Sequence, residues 1–265
     1  MPFVRTFPSF VTAVESMLQP TDMGINADLT RDVSSAAPET RSTVDDAYTR
    51  LVDAIFRSLD SIAKEVPSTT TGAGTSTDPE DKEKLNAEIL LIENTFHLTS
   101  ELSSDASLLR NPVLAACKQK AENSMRTHRS RYLNAIIRRP LGRLLDFLEG
   151  VEGDRSKSGQ ATYGRSAFKK VLSSYDSKTV KRDIEQLKRR VEKHFGGEGQ
   201  AADDGATTQY SSGQGHARLV GEILAECEGR FGEVLERTEG VVREVYAGEL
   251  EVGFSRGDVA AAFRR

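Results

Sequence analysis

The chain has 265 residues, of which 29% are charged and 6% aromatic, and its formal net charge is -4. This length suffices for one large domain or two smaller ones with a sizeable core. Two cysteines cannot build a disulfide framework, which favours a reducing, cytoplasmic compartment, and no apolar run reaches the roughly 18 residues that a membrane-spanning helix needs. The composition favours an elongated helical protein with leucine-based stripes.

The predicted elements begin with a short helix over residues 7–19, followed by a polar, loosely structured stretch over 21–40. A second helix is predicted over 42–66, and Pro67 ends it. The apolar positions that we predict to be buried in these two helices are Phe10, Val14, Leu18, Val44, Ala47, Tyr48, Leu51, Ile55, Leu59 and Ile62.

The low-complexity stretch 68–78 predicts a flexible insert, after which Asp78 caps a third helix. A very long helix is predicted over 112–151. We expect a kink at Pro140, because proline lacks the N–H that would bond to the preceding turn, and we expect the helix to end at Gly150 and Gly153. The predicted buried positions are Leu85, Ile89, Ile92, Phe96, Leu102, Leu133, Ile136, Ile137, Leu141, Leu144, Leu145 and Leu148.

The C-terminal part is predicted to contain a loop at 153–165 and a second low-complexity insert at 196–215. The tripeptide Arg256-Gly257-Asp258 is interpreted as a turn and a helix N-cap rather than an adhesion motif. Four further helices are predicted. One surrounds Phe168, one begins after a cap at Asp176 or Ser177, and the other two cover 217–246 and 258–263. Their predicted buried positions are Phe168, Val171, Leu172, Tyr175, Val180, Ile184, Leu187, Val191, Leu219, Ile223, Leu224, Cys227, Phe231, Leu235, Val242 and Val245.

No segment shows the sustained period-2 alternation of a half-buried strand. The fold class that we predict is therefore all-α, built from elongated, stacked antiparallel helical bundles. We predict two domains, a first bundle over 1–152 that contains the insert at 68–78, and a C-terminal bundle over 153–265 that contains the insert at 196–215.

The sequence shows no constellation of catalytic, cofactor-binding or metal-ligating residues. His97, His128, His194 and His216 have no partners at metal-ligand spacing, and His216 adjoins the second predicted insert and is predicted to be disordered with it. The glycines around Ala73 lack the strand, later glycine and lysine of a phosphate loop. We therefore predict a protein that is not an enzyme, with no cofactor, no metal and no small-molecule substrate.

Charge is distributed unevenly along the chain. By count, residues 106–193 carry a net charge of +12, and the segments before and after it carry -10 and -6. Three interpretations stay open: a solvated face balanced by the acidic segments, a surface for an acidic partner subunit or anionic lipid headgroups, and a nucleic-acid surface. The last is least favoured, since few aromatic side chains interleave with the cations, and we predict no nucleic-acid partner.

The candidate surface for a partner or anionic lipid consists of Arg126, Arg129, Arg131, Arg138, Arg139, Arg143, Lys169, Lys170, Lys181, Arg182, Lys188, Arg189 and Arg190.

Three ordered segments resemble a known family. PLGRLLDFLEGVE at 140–152, the segment at 166–195 and the segment at 237–263 are similar to the C-terminal region of the exocyst complex component one family. The resemblance implies a tethering-complex rod without enzyme activity. Such a rod packs on other exocyst subunits and holds secretory vesicles at the plasma membrane, where it is a peripheral cytoplasmic protein. The two low-complexity inserts resemble those of fungal members.

The resemblance does not include that family's N-terminal lipid- and GTPase-binding domain, so those activities are not carried over. Two alternatives remain beside the exocyst interpretation. One is a peripheral membrane-binding helical module that uses the basic face, and the other is a tethering subunit of another trafficking complex, which the same fold would serve equally well.

Overall fold

The computed structural model describes residues 2–18, 37–65, 79–158, 164–196 and 212–264. All regular structure within these ranges is helical, which confirms the all-α prediction. None of the described helices is long and apolar enough to cross a membrane. The helices are α1 (Pro2–Leu18), α2 (Ala37–Glu65), α3 (Pro79–Ser104), α4 (Pro112–Ser158), α5 (Arg165–Leu172), α6 (Ser177–Phe195), α7 (Ser212–Val245) and α8 (Arg256–Arg264), with one 3-10 turn at Leu108–Arg110.

The chain forms two compact units, one comprising Met1–Arg129 and the other Ser130–Arg265. The boundary between them falls inside α4, whose first residues belong to the first unit and whose later residues belong to the second. The division that the sequence analysis placed between residues 152 and 153 stays a prediction about independently folding domains.

The core of the first unit joins α1, α2, α3 and the start of α4. Helix α1 contributes Val4, Phe7 and Val11, all of which are buried. The predicted face of this helix was wrong, because Phe10 is 50% exposed. The helix begins at Pro2, earlier than predicted, and Val4 and Phe7 therefore join Val11 in one apolar stripe. This stripe buries more apolar surface than a stripe through Phe10 would.

Helices α2 and α3 confirm most of the predicted core. Within α2, Tyr48, Ile55 and Leu59 are buried, but Ala47 is exposed, contrary to prediction. All five positions predicted in α3 are buried. Helix α3 also buries Leu91 and Leu98, so it is enclosed on more than one side.

Some positions along the whole chain were predicted to be buried but are only half-buried. They are Val14, Leu18, Val44, Leu51, Ile62, Leu145, Val171, Leu224 and Val245.

An asparagine starts α4 and connects it to α2. The Asn111 side-chain oxygen accepts hydrogen bonds from the backbone N–H of Val113, at 2.8 Å, and of Leu114. Its amide nitrogen donates to Asp45 in α2, at 2.8 Å. Asn111 therefore satisfies two of the N–H groups that a helix start leaves without partners, and it also fixes the start of α4 against α2.

Helix α4 contains the predicted kink at Pro140. Arg138 Nη2 lies 2.6 Å from Glu149 Oε1, although a straight helix would separate these two Cα atoms by about 16 Å, which exceeds the reach of the two side chains. The axis therefore bends towards Arg138 and Glu149. The N–H of Leu144 also donates to the hydroxyl of Tyr175, at 3.3 Å, which connects α4 to the turn before α6.

Contrary to prediction, α4 continues through Gly150 and Gly153 to Ser158. A glycine inside a helix costs about 1 kcal/mol relative to alanine. Phe147, Leu148 and Val151 are buried around Gly150, and burial of each contributes about 1.5–3 kcal/mol. Packing therefore outweighs the cost of Gly150.

Aromatic contacts connect the helices of the second unit. Phe147 of α4 stacks on Phe168 of α5 with ring centroids 4.5 Å apart, and Phe168 also contacts Tyr246 after α7. Phe231 of α7 meets Phe263 of α8 edge to face at 5.8 Å. All four positions predicted in α6 are buried, and Phe195 extends that stripe. The Asp176 cap is confirmed, since its carboxylate accepts the Thr179 N–H at 2.7 Å.

The starts of α7 and α8 differ from prediction. Helix α7 begins at Ser212, so residues 212–215 and His216 are helical rather than part of an insert. Helix α8 is capped by Ser255, and the tripeptide at 256–258 forms its first turn. Residues 37–40 of the stretch 21–40 that was predicted to be loose are helical, since α2 begins at Ala37. The rest of that stretch, the predicted insert at 68–78 and residues 197–211 of the second predicted insert lie outside the described residues.

Candidate interaction surface

Most cations of the candidate surface face solvent. Arg129 is the exception, because it is only 8% exposed, and its assignment to a surface was wrong. Arg129 lies three and four residues before the buried Tyr132 and Leu133, which puts it on the buried face of α4. The exposed members are Arg126, Arg131, Arg138, Arg139, Arg143, Lys169, Lys170, Arg182 and Arg189, and the half-buried ones are Lys181, Lys188 and Arg190.

Arg138 is engaged within its own helix. Its guanidinium forms ion pairs with Glu149, at 2.6 Å, and with Asp146, at 2.7 Å. The hydrogen bond to Glu149, followed by that to Asp146, raises the pKa of Arg138 above its ordinary value. Since the Arg138 side chain is 49% exposed, these pairs contribute little to stability, but they neutralise a cation that sequence analysis assigned to the binding surface.

Two lysines of α6 are directed towards α8. Lys181 Nζ lies 2.7 Å from Asp258 Oδ1, and Lys188 Nζ donates to the backbone carbonyl of Phe263 at 3.0 Å. The second contact places a cation at the C-terminal carbonyls of α8, where the helix dipole favours positive charge. Both lysines therefore hold α8 on α6, and their ammonium groups are already paired.

Asp258 is the centre of this contact. Its carboxylate accepts hydrogen bonds from the Ser177 hydroxyl, at 2.7 Å, and from the N–H and hydroxyl of Ser255, at 3.0 and 2.7 Å. In return, the Ser255 oxygen accepts the Asp258 N–H, which makes a capping box at the start of α8. The bond from Lys181, followed by those from Ser177 and Ser255, lowers the pKa of Asp258 far below its ordinary value.

The outer face of α6 carries the other cations of this helix. The exposed residues Lys178, Arg182, Gln186, Arg189 and Lys193 follow one another at steps of four, four, three and four, so they share one side of the helix. We call these five residues the outer stripe. They lie opposite the buried positions from Val180 to Phe195. Sequence analysis missed Lys178 and Lys193, although their four-residue spacing from Arg182 and Arg189 could have indicated them.

The histidines of the described residues make structural contacts. His128 Nδ1 lies 2.6 Å from Glu88 Oε2 within the first unit, and His194 Nδ1 lies 2.9 Å from the Tyr132 hydroxyl within the second. Burial raises the pKa of Tyr132 far above its ordinary value. No group of three His, Cys, Asp or Glu residues in the described part of the chain is placed to hold a metal ion.

The two cysteines are buried core residues. Burial raises the pKa of the Cys117 thiol to about 11 and that of Cys227 to about 12. Both thiols are therefore protonated at neutral pH, and neither has the character of a nucleophile. The start of α6, together with Gly253, borders a depression, but this depression is open to solvent rather than enclosed.

The chain matches one known family over nearly all of its length. The family model described as Exocyst complex component Sec3, C-terminal, matches residues 1–248, which include α1 to α7. The three resembling segments begin at residue 140, and the match extends the resemblance to the N-terminal helices. The last resembling segment, 237–263, runs beyond the matched residues, and no solved structure matches the chain.

Curated relatives agree with this match. Exocyst complex component 1 of Mus musculus is 26% identical over 202 residues, which cover 74% of this chain and 18% of that protein. Exocyst complex component 1 of Drosophila melanogaster is 24% identical over 202 residues, which cover 74% of this chain and 19% of that protein. The match thus spans about a fifth of the length of these relatives. With its helical bundles and the match over residues 1–248, the chain belongs to the family of the C-terminal region of exocyst complex component Sec3.

Proposed function

We propose that this chain acts as a non-enzymatic structural part of the exocyst, in which its helical bundles contact other subunits and so help to tether secretory vesicles to the plasma membrane. The family match over residues 1–248 is the observation that carries this proposal. In this role the chain works in the cytoplasm, at the periphery of membrane sites of secretion, and its direct partners are other exocyst subunits.

The chemistry of the described side chains supports an interaction role. Two of the histidines, the side chains best suited to acid–base catalysis at neutral pH, form the structural pairs His128–Glu88 and His194–Tyr132. The helices bury one or more apolar faces and expose long charged faces. Such faces suit contacts with other proteins that are steered by complementary charge.

Affinity purification tests this proposal. The tagged chain is expressed in its native cytosol and recovered at low and at physiological salt, and its companions are identified by mass spectrometry. We expect the other exocyst subunits at both salt concentrations, and a Leu144→Asp variant with an unfolded second unit serves as the control. Recovery of subunits of another trafficking complex, or of no partner, would refute the exocyst assignment.

The second candidate function is a peripheral membrane-binding module. The observation that favours it is the exposure of Arg126, Arg143, Lys169 and Lys170, none of which forms an ion pair within the described residues. It predicts sedimentation with vesicles that contain anionic lipid, and release of the chain by salt. Equal sedimentation with neutral vesicles, or none with either, would eliminate this candidate.

A further inference from the structure

Helix α6 uses its cations in two different ways. It carries seven basic and three acidic side chains. Lys181 and Lys188 are paired with groups of α8, as described above. Within the described residues, by contrast, Lys178, Arg189 and Lys193 of the outer stripe form no ion pair. The outer stripe is therefore not explained by the packing of the second unit.

The outer stripe has a regular geometry. From Lys178 to Lys193 it extends about 22 Å along the helix, with two cationic pairs at four-residue spacing and Gln186 between them. Arg182 is 65% exposed, and its contact with the neighbouring Asp183 is long, at 3.5 Å. Asp176, at the start of the helix, accepts the N–H of Thr179, and it also interacts electrostatically with Lys178 and Arg182 without forming a hydrogen bond to either. The four cations are thus available to a ligand from outside the unit.

The neighbours of the stripe favour a narrow partner over a flat one. Glu185 and Glu192 are both exposed on one side of the stripe, towards α8. A planar anionic membrane that reached the four cations would also meet these two carboxylates. A helix, in contrast, can place carboxylates only along the line of the four cations and present neutral or basic side chains to Glu185 and Glu192, which adjoin Arg182 and Arg189. The large apolar side chains exposed within the described residues are Phe10 and Met17, both in α1, so α6 has none to insert into lipid.

We propose that the outer stripe of α6 is the docking surface for an acidic α-helix of another exocyst subunit. Carboxylates one helical turn apart on that helix pair with Lys178 and Arg182 at one end and with Arg189 and Lys193 at the other. Gln186 donates and accepts hydrogen bonds between the two pairs. This inference rests on the proposed exocyst function, and it assigns to one helix face a contact that charge complementarity guides.

Charge reversal of the stripe tests the proposal. The test variant carries Lys178→Glu, Arg182→Glu, Arg189→Glu and Lys193→Glu, all at exposed positions. The matched control reverses four exposed cations elsewhere and so has the same net charge: Arg126→Glu, Arg143→Glu, Lys169→Glu and Lys170→Glu. Both are compared with the unaltered chain by affinity purification at physiological salt, after circular dichroism has established that their helix contents are equal.

We expect the stripe variant to recover one exocyst subunit with a yield lower by about tenfold, and the control to recover it nearly normally. Carbodiimide cross-linking of the purified complex should join Lys178 or Lys193 to an Asp or Glu in a helix of that same subunit, with Lys169 and Lys170 as internal comparisons. If the stripe variant does not fold, the double variant Lys178→Glu with Lys193→Glu replaces it.

The outcomes separate the two proposals. If the unaltered chain recovers no exocyst subunit, the proposed function itself fails. If the stripe variant and the unaltered chain recover all subunits equally, the function stands and the docking surface is refuted. Sedimentation with vesicles of phosphatidylserine and phosphatidylcholine provides the last comparison. Loss of vesicle binding in the stripe variant with unchanged subunit recovery would assign the stripe to a membrane and overturn the inference.

Discussion

Replacement of Asp258 by alanine should loosen α8 from α6 without unfolding the rest of the second unit. The carboxylate contacts two residues of α6, Lys181 and Ser177, and it also contacts Ser255, which caps α8. The alanine variant removes all of these hydrogen bonds at once. The apolar contacts of α8 through Val259 and Phe263 remain.

The structure sets the size of the effect. Loss of the bonds from Ser255 to the carboxylate costs about 0.5–1 kcal/mol, since the Ser255 oxygen still accepts the backbone N–H of residue 258. Loss of the Ser177 hydrogen bond to a charged acceptor costs about 1.5 kcal/mol. The Lys181 ion pair adds about 0.5 kcal/mol, because the lysine side chain is 38% exposed and partly screened. The docking of α8 should therefore weaken by about 2–3 kcal/mol, which corresponds to about 30- to 150-fold faster exchange of its protected amide hydrogens.

The same contact predicts a dependence on pH. The pKa of Asp258 is lower in the folded chain than the value of about 3.9 for an unfolded aspartate. A depressed folded pKa means that the stabilisation is fully present above the unfolded pKa and is lost as the pH falls below it. Acidification from neutral pH through about 4 and below should therefore progressively weaken the docking of α8 in the unaltered chain, whereas the alanine variant should lack this contribution.

Hydrogen exchange followed by mass spectrometry measures both effects, once the rates are corrected for intrinsic exchange at each pH. Glu185→Ala is the matched control, because it removes an exposed α6 carboxylate that has no hydrogen bond within the described residues. Equal exchange of α8 in the Asp258→Ala and Glu185→Ala variants would show that the network does not hold the helix.

Three further substitutions test the packing of the second unit. Leu144→Asp places a carboxylate in a fully buried position and should unfold this unit, with a loss of more than about 4 kcal/mol; a variant with unchanged thermal melting would refute the placement of Leu144. Gly253→Ala should lower the free energy of unfolding by about 1–3 kcal/mol, because its Cβ would lie 2.8 Å from the carbonyl oxygen of Tyr175. Gly142→Ala, whose Cβ would contact nothing within 4 Å, is its control in urea titrations. Ala247→Gly should raise the free energy of unfolding by about 0.5–1 kcal/mol, because Ala247 has a φ of 52° after α7; an unchanged urea midpoint would contradict this.

The amphipathic helices could be predicted from the sequence because the spacing of apolar residues within each helix determines which face is buried. In α6, the apolar residues recur at helical spacing between strongly charged ones, and Asp176 marks the start. Every position predicted there is buried. In α1, apolar residues occur on two sides of the helix, and the sequence alone did not show that Val4 and Phe7, rather than Phe10, face the other helices.

The ends of the long helices depend on tertiary contacts that local patterns do not contain. Gly150 and Gly153 are ordinary stop signals, yet α4 continues to Ser158, and the burial of Phe147 and Val151 on either side of Gly150 outweighs the first of them. The start of α7 at Ser212 lies inside a stretch whose composition is typical of a flexible insert. For Gly150, the weak local preference to end the helix is opposed by packing energies that are larger.

The sequence could locate the candidate surface, but it could not show which of its cations are already paired. The excess of basic residues over 106–193 is a property of composition, and it correctly indicated α6 as a cationic helix. Which cations are already paired depends on groups far away in the chain. Lys188 and the carbonyl of Phe263 are 75 residues apart, and Ser177 and Asp258 are 81 residues apart. No periodicity in the sequence could have indicated these contacts.

The two sides of α6 should therefore respond differently to salt. The Lys181–Asp258 pair is half-buried and forms part of a hydrogen-bond network, so added salt screens it weakly. The exposed cations of the outer stripe act through solvent, where the Debye length falls from about 30 Å at 0.01 M to about 3 Å at 1 M salt. Salt that releases a partner from the outer stripe should consequently leave α8 in place, because docking and folding use different cations of the same helix.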